Sequence, residues 1–410
     1  MTALLGLFVF IFIAWIFSES KKEVQWIFVI KALVIQIVTA IVFLKSPFFV
    51  DVFSKLNVVV ITLQEVTDKA STFLFGYLAG GPAPFDAVHA ENNFIVAVRV
   101  LPLILVISAL SALLFHWRIL PMMIRFFAYA LKRTLGISGP LGLGSAATIF
   151  LGTIESPLLI KPYLKQMNRA DLFALISCSM ATISGTVMVL YASILEKVIP
   201  NSMAHLLIAS LISVPAALLI ARVMIPADVR KNSIDEPITL PSPYANSMDA
   251  LLKGITEGMN MIVGIIGVIL VFFALIYLLN KGLSVLSGEW SLELILGYAL
   301  RPFMWLTGIP WDETLFAGKL MGTKIVLNEF VSFFELSKMP NALSESSRMI
   351  LIYGLCGFAN IASAGIIIGG LTVTLPERQQ EVAVLTFKSL ISGNLATLMT
   401  AAVAGLMMAR

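Results

Sequence analysis

Apolar runs of about 20 residues recur along the whole chain, and this recurrence decides most of what it can become. A run of that length, wound as a helix rising about 1.5 Å per residue, covers the ~30 Å hydrocarbon layer of a membrane. Lipid offers no hydrogen-bonding partners, so the backbone of each run must satisfy itself internally, and a helix does this within one segment. The runs fall near residues 3–18, 24–44, 94–116, 172–194, 203–222, 257–279, 349–370 and 383–408. Hydrophobic residues make up 59% of the 410 and charged ones only 13%, with mean hydropathy +0.94. A soluble domain carries about twice that share of charge. The expected fold is an all-α polytopic membrane protein with eight transmembrane helices.

Charge placement orients the spans. The connector 117–133 carries Arg118, Arg125, Lys132 and Arg133 with no acid, and 19–23 carries Lys21 and Lys22 beside Glu19 and Glu23, whereas 46–93 holds five acids against two lysines. Cationic loops stay inside, which puts 19–23 and 117–171 in the cytoplasm and 46–93 outside. The net charge of +4 therefore reflects loop bias and gives no sign of a nucleic-acid partner. Residues 3–17 resemble the apolar core of a secretion signal but have no basic flank or small-residue cleavage site, so they are expected to remain as the first span. The Pro-rich polar stretch 224–249 reads as a flexible cytoplasmic linker. Cys178 and Cys356 lie in separate apolar segments, and the three histidines show no metal-ligand spacing, so neither a disulfide nor a zinc site is expected.

Two stretches, 134–171 and 281–348, are apolar but broken by Gly, Pro and acids. A full crossing at 141–164 would strand Glu155 in lipid. Re-entrant hairpins covered by neighbouring protein, one from each side, fit both stretches better. The first carries Glu155 and the second Glu329. The octets "CSMATISG" (178–185) and "CGFANIAS" (356–363), each in the span after a hairpin, share Cys, Ala and Ile at the same spacing. By the span count these helices run in opposite directions, so the halves form an inverted repeat with broken helices, as in secondary transporters whose site lies at the midplane.

Serine and threonine inside spans often bond back to their own helix, and that accounts equally well for Ser184 or Thr186 taken singly. Asn360, with two donors and an acceptor, is harder to treat as packing. A loop acid at headgroup level is the bland alternative for Glu155 and Glu329, but an intramembrane carboxylate points first to function. No His lies near either acid, and neither HExxH nor GxSxG occurs, so an enzyme is not expected. A channel would explain buried acids but not two broken helices in a repeat.

These motifs resemble the concentrative nucleoside transporter family. Gly152-Thr153-Ile154-Glu155 stands where the family has Gly-Gln-Thr/Ser-Glu, and Asn328-Glu329-Phe330-Val331 matches its second-hairpin motif. Gly357-Phe358-Ala359-Asn360-Ile361-Ala362-Ser363 matches its second broken helix, and "VRVLP" (98–102) and "GIPWDE" (308–313) match further landmarks. The resemblance spans nearly the whole chain. It implies a homotrimer in the bacterial inner membrane that imports nucleosides with a cation by an elevator movement, with no organic cofactor. It divides the chain into scaffold spans 1–116, a first repeat 117–222, a linker 223–256, a scaffold span 257–280 and a second repeat 281–410. Glu329, Asn360 and Ser363 would hold the ribose hydroxyls, with Phe358 beside them. Thr153, Ile154, Glu155 and Val187 would face the base.

The departures from the family pattern lie at the base and at the ion. Thr153 and Ile154 replace an amide and a hydroxyl, which opens the alternative of a modified nucleoside or another metabolite as substrate. The family's sodium site maps onto Thr148, Leu151, Thr182 and Ile183, neutral oxygens that suit a hard monovalent cation. Thr148 replaces an Asn there, so the coupling ion is either sodium or a proton, the latter carried by Glu155 or Glu329.

Overall fold

A computed structural model describes residues 1–86, 94–153, 155–196, 198–227, 242–288 and 290–408. The described residues form α-helices, short 3-10 turns and loops, with no strand. In chain order the helices are α1 (Thr2–Ile16), α2 (Trp26–Lys45), α3 (Pro47–Phe75), α4 (Val96–Arg99), α5 (Pro102–His116) and α6 (Ile119–Leu135). Next come α7 (Gly139–Ala147), α8 (Glu155–Leu159), α9 (Lys161–Leu164), α10 (Arg169–Ala181), α11 (Gly185–Leu195) and α12 (Ser202–Met224). The remainder are α13 (Ser247–Ser287), α14 (Leu292–Leu306), α15 (Thr314–Val326), α16 (Glu329–Lys338), α17 (Glu345–Leu355), α18 (Ile361–Thr374) and α19 (Gln379–Met408). Among the described residues, six segments can cross a membrane by length and composition: Trp26–Lys45, Val96–His116, Arg169–Leu195, Ser202–Met224, Ser247–Val285 and Pro376–Met408. Thr2–Ile16 and Ile361–Thr374 are shorter apolar helices. The middle of the expected linker, 228–241, lies outside the described residues, and α13 begins inside the linker's expected end.

Packing sorts the helices differently from their order. α5 packs along α13, while α1 and α2 pack on α12 and α19, so the segment 1–116 is divided between two groups. Small residues decide these contacts, because lipid gives helices no hydrophobic reason to associate and close approach must supply the energy. A Cβ on Gly254 would stand 2.7 Å from the Ala109 Cα, so only glycine lets α13 lie this close to α5. The apolar 18-residue stretch of α12 is 94% buried, whereas that of α13 is only 11% buried. At the far end of α12, Arg222 pairs with Asp171 at the start of α10, and Ser138 donates to the same carboxylate at 3.0 Å.

The two halves repeat in detail, with a register that the octets do not give. Ser156 Oγ donates to the Gly144 carbonyl at 3.0 Å, and Ser332 Oγ to the Leu320 carbonyl at 2.8 Å. Leu151 N bonds Ala147 O as Leu327 N bonds Thr323 O, both at 2.8 Å. Asn168 caps α10 through Asp171 N, as Ser344 caps α17 through Ser347 N. Ser184 and Asn360 hold the N-cap positions of α11 and α18. Every one of these pairs is 176 residues apart, whereas Cys178 and Cys356 are 178 apart. The octet match is therefore out of register by two. The shared Cys and Ala fall in different settings, since Cys178 and Ala181 lie within α10 while Cys356 and Ala359 lie past the end of α17. The equivalent of Cys178 is Gly354.

Candidate functional site

Each half supplies a helical hairpin followed by a helix broken in its middle. In hairpin 1, α7 leads into a turn over 148–153, and α8 and α9 return. A Cβ on Gly144 would stand 2.6 Å from Leu175 Cδ1, so glycine there lets the arm seat against α10. Glu155 opens the returning arm and accepts from the Gly152 N–H at 2.7 Å, closing the turn on itself. In hairpin 2, Asn328 caps α16 by accepting from Val331 N at 3.0 Å, which sets Glu329 in the first turn of that helix. The breaks are 182–184, between α10 and α11, and 356–360, between α17 and α18. They meet: Phe358 N donates to Thr182 O at 3.3 Å, and Gly185 N ties the first break to Phe150 O of hairpin 1 at 3.1 Å.

Glu329 is the centre of the arrangement. Only 3% of it is exposed, so its carboxylate needs partners on every side. Tyr191 donates to Oε1 at 2.6 Å, and Asn360 Nδ2 donates to Oε2 at 3.0 Å. Asn360 does two jobs, because its Oδ1 also caps α18 by accepting from Ser363 N at 2.8 Å. Two fixed donors hold the carboxylate plane while its remaining lone pairs stay free to accept from a ligand.

These groups face a cavity of about 460 Å³, within the range of small-molecule sites. Thr153, Glu155, Val187, Glu329, Phe358, Asn360 and Ser363 all line it, so the structure brings together every expected substrate residue that it describes. Ile154 lies outside the described residues. Glu155 also lines a second cavity of about 470 Å³ shared with Phe150, Tyr244 and Glu257, and so stands between the two spaces. Of the expected ion residues, Thr182 Oγ1 donates to Thr148 O at 3.1 Å and to Cys178 O at 3.0 Å. Thr148 Oγ1 donates to Ser145 O at 2.8 Å. Thr148 and Thr182 thus lie side by side where hairpin 1 meets the first break.

Sequence reasoning missed four residues. Tyr191 stands one helical turn after Val187 on the same face, and a buried phenol calls for a partner, so its role was readable in principle. Asn260 and Gly264 of α13 line the cavity from a helix outside both repeats, which no motif suggested. Lys324 of α15 is completely buried, and an intramembrane lysine is itself a signal of function.

The family model "Na+ dependent nucleoside transporter C-terminus" matches residues 205–405, its N-terminal counterpart 5–78, and the "Gate: Nucleoside recognition" model 97–198. The nucleoside permease NupC of Helicobacter pylori is 32% identical across 98% of this chain and 97% of its own. The uncharacterized transporter YutK of Bacillus subtilis is 33% identical, with 98% of each chain covered. The structure of CNTnw in an inward-facing substrate-bound state superposes with TM-score 0.90 at 31% identity, covering 99% of this chain and 97% of that one. A CNTnw variant in an outward-facing state gives 0.88. The protein is thus an integral membrane protein of the bacterial plasma membrane, a transporter and not an enzyme. It belongs to the sodium-dependent, concentrative nucleoside transporter family.

Proposed function

We propose that this protein is a sodium-coupled importer of nucleosides across the inner membrane. The observation that carries the reading is the Glu329 carboxylate, held by Tyr191 and Asn360 at the wall of a 460 Å³ cavity where both hairpins and both breaks converge. A ribose diol both donates and accepts. Glu329 would take its hydroxyl protons, Asn360 and Ser363 would contact the same end, Phe358 would lie beside the sugar, and Thr153, Glu155 and Val187 would face the base. Sodium would sit among Thr148, Thr182 and the carbonyls of Leu151, Thr182 and Ile183, whose neutral oxygens suit a monovalent cation. That site shares the first break with the cavity wall, so filling one orders the backbone that lines the other, which is the coupling that symport needs.

In this reading the eight apolar segments span the bilayer and the hairpins enter it from opposite sides as an inverted repeat. The group formed by α5 and α13 is the static scaffold, and the repeats move against it as an elevator. The sparse cover on α13 supports assembly into a homotrimer, since an apolar helix left bare within one protomer must meet lipid or a neighbour. The replacement of the family's amide by Thr153 favours a second reading, in which the substrate is a modified nucleoside or a related metabolite. Uptake by proteoliposomes under imposed sodium or proton gradients, with a nucleoside panel competing against labelled uridine, tests both. Uptake driven by neither gradient would overturn coupling, and failure of every ordinary nucleoside to compete would favour the second reading.

A further inference from the structure

Lys324 is buried completely in hairpin 2, in an apolar arm of a membrane protein. A charge there is costly and has to be matched by partners. Its Nζ donates to the Gly354 carbonyl at 3.0 Å and to Thr397 Oγ1 at 3.1 Å. Among the described residues no carboxylate lies within ion-pair distance of it, and these two oxygens are its hydrogen-bond partners. Gly354 is the penultimate residue of α17, so the ammonium sits on the carbonyl end of the broken helix, where the helix dipole favours a cation.

The register of the repeat says what this position corresponds to. Ala147 and Thr323 accept equivalent turn bonds, so the next residues, Thr148 and Lys324, are equivalent. Cys178 and Gly354 are equivalent by the same spacing. In the first half the Cys178 carbonyl takes the hydroxyl of Thr182, which also bonds Thr148 O, and this is the cluster assigned above to the coupling ion. In the second half the matching carbonyl takes the ammonium of Lys324. We propose that Lys324 is a tethered cation set against the second half's counterpart of the first half's ion site, on the carbonyl that in the first half takes the hydroxyl of Thr182. The first half takes a free cation beside this carbonyl and the second carries its own. Lys324 is then a positioning residue for the substrate end: it pins the last turn of α17, and the break that follows ends at Asn360, the partner of Glu329. The inference rests on the ion reading of Thr148 and Thr182 given above.

The test exchanges the two residue types in the full-length protein and measures nucleoside binding over a sodium titration, with melting temperature and size-exclusion elution as controls for folding. Lys324→Met removes the charge and offers no ion ligand, so affinity should fall roughly tenfold or more at every sodium concentration, as for loss of charge-assisted bonds. Lys324→Thr restores the first half's residue. Its affinity should be as poor at low sodium but recover as sodium rises, with a dependence steeper than the parent's by about one ion per protomer. Thr148→Lys should bind nucleoside with no response to sodium. Parent-like affinity in both Lys324 variants, or a Lys324→Thr titration that follows Lys324→Met throughout, would overturn the proposal. If neither Lys324 variant folds, Thr148→Lys decides alone, and an unchanged sodium response in it refutes the equivalence. A parent without any sodium response would defeat the first-half ion reading instead, and a response newly acquired by Lys324→Thr would then still support the tethered cation.

Discussion

Tyr191→Phe removes one oxygen and leaves nearly everything else in place. The ring packs against Phe333 with centroids 5.0 Å apart, and a phenyl group keeps that contact. What is lost is the 2.6 Å bond to Glu329 Oε1, a hydrogen bond to a carboxylate, worth about 1.5–3 kcal/mol. The loss is not shared equally between states. In the nucleoside-free protein, water in the cavity can replace the phenol at Oε1, whereas a bound nucleoside displaces that water and leaves the oxygen without its donor. Affinity should therefore carry most of the cost, about 1.5 kcal/mol or a little over tenfold in Kd. Melting temperature should change by only a few degrees, because the ring still fills its place. Titration calorimetry with the transported nucleoside measures the first and thermal unfolding the second. A Kd within twofold of the parent would show that Tyr191 does not hold Glu329 for the ligand. A large fall in melting temperature at unchanged Kd would show that the bond serves folding.

Glu329→Gln and Asn360→Ala should each cut uptake at least ~100-fold, since each removes a ribose contact and a neighbour's partner, while elution stays that of the parent; parent-like transport would sink the ribose assignment. Restoring the family tip with Thr153→Gln and Ile154→Thr should sharpen discrimination between uridine and purine nucleosides by roughly 10- to 200-fold if one good bond is gained. An identical competition ranking would mean that the tip does not read the base. Glu19, in the loop before α2, is held below the usual carboxylate range by the Arg169 hydrogen bond first and then, against the opposing effect of burial, by Lys388. A lowered folded-state value means that its stabilisation is present above the unfolded value of 4.5 and is lost as pH falls below that. Because the group is partly exposed, Glu19→Gln should cost only ~0.5–1 kcal/mol at neutral pH and flatten the acid fall in melting temperature; coincident pH profiles for parent and variant would refute this.

The class of protein and the acids of the cavity wall were legible in the amino acids alone, because lipid makes polarity conspicuous. Glu155, Glu329 and Asn360 stand out in apolar surroundings only since each must be satisfied there, and the cost of leaving a buried polar group unpaired marks it for a reader. The same cost marked Lys324, but a charge shows its own expense and not its partner. Its partners, Gly354 and Thr397, lie 30 and 73 residues away, and Tyr191 lies 138 residues from Glu329. Only tertiary structure decides such pairings. The register of the repeat was likewise hidden, since matching small residues slide easily past one another in sequence, whereas caps and turn bonds fix a helix to a single position. The sorting of α1 and α2 onto the repeats was also settled by packing, because in lipid every apolar helix looks alike until the small residues along it meet their neighbours.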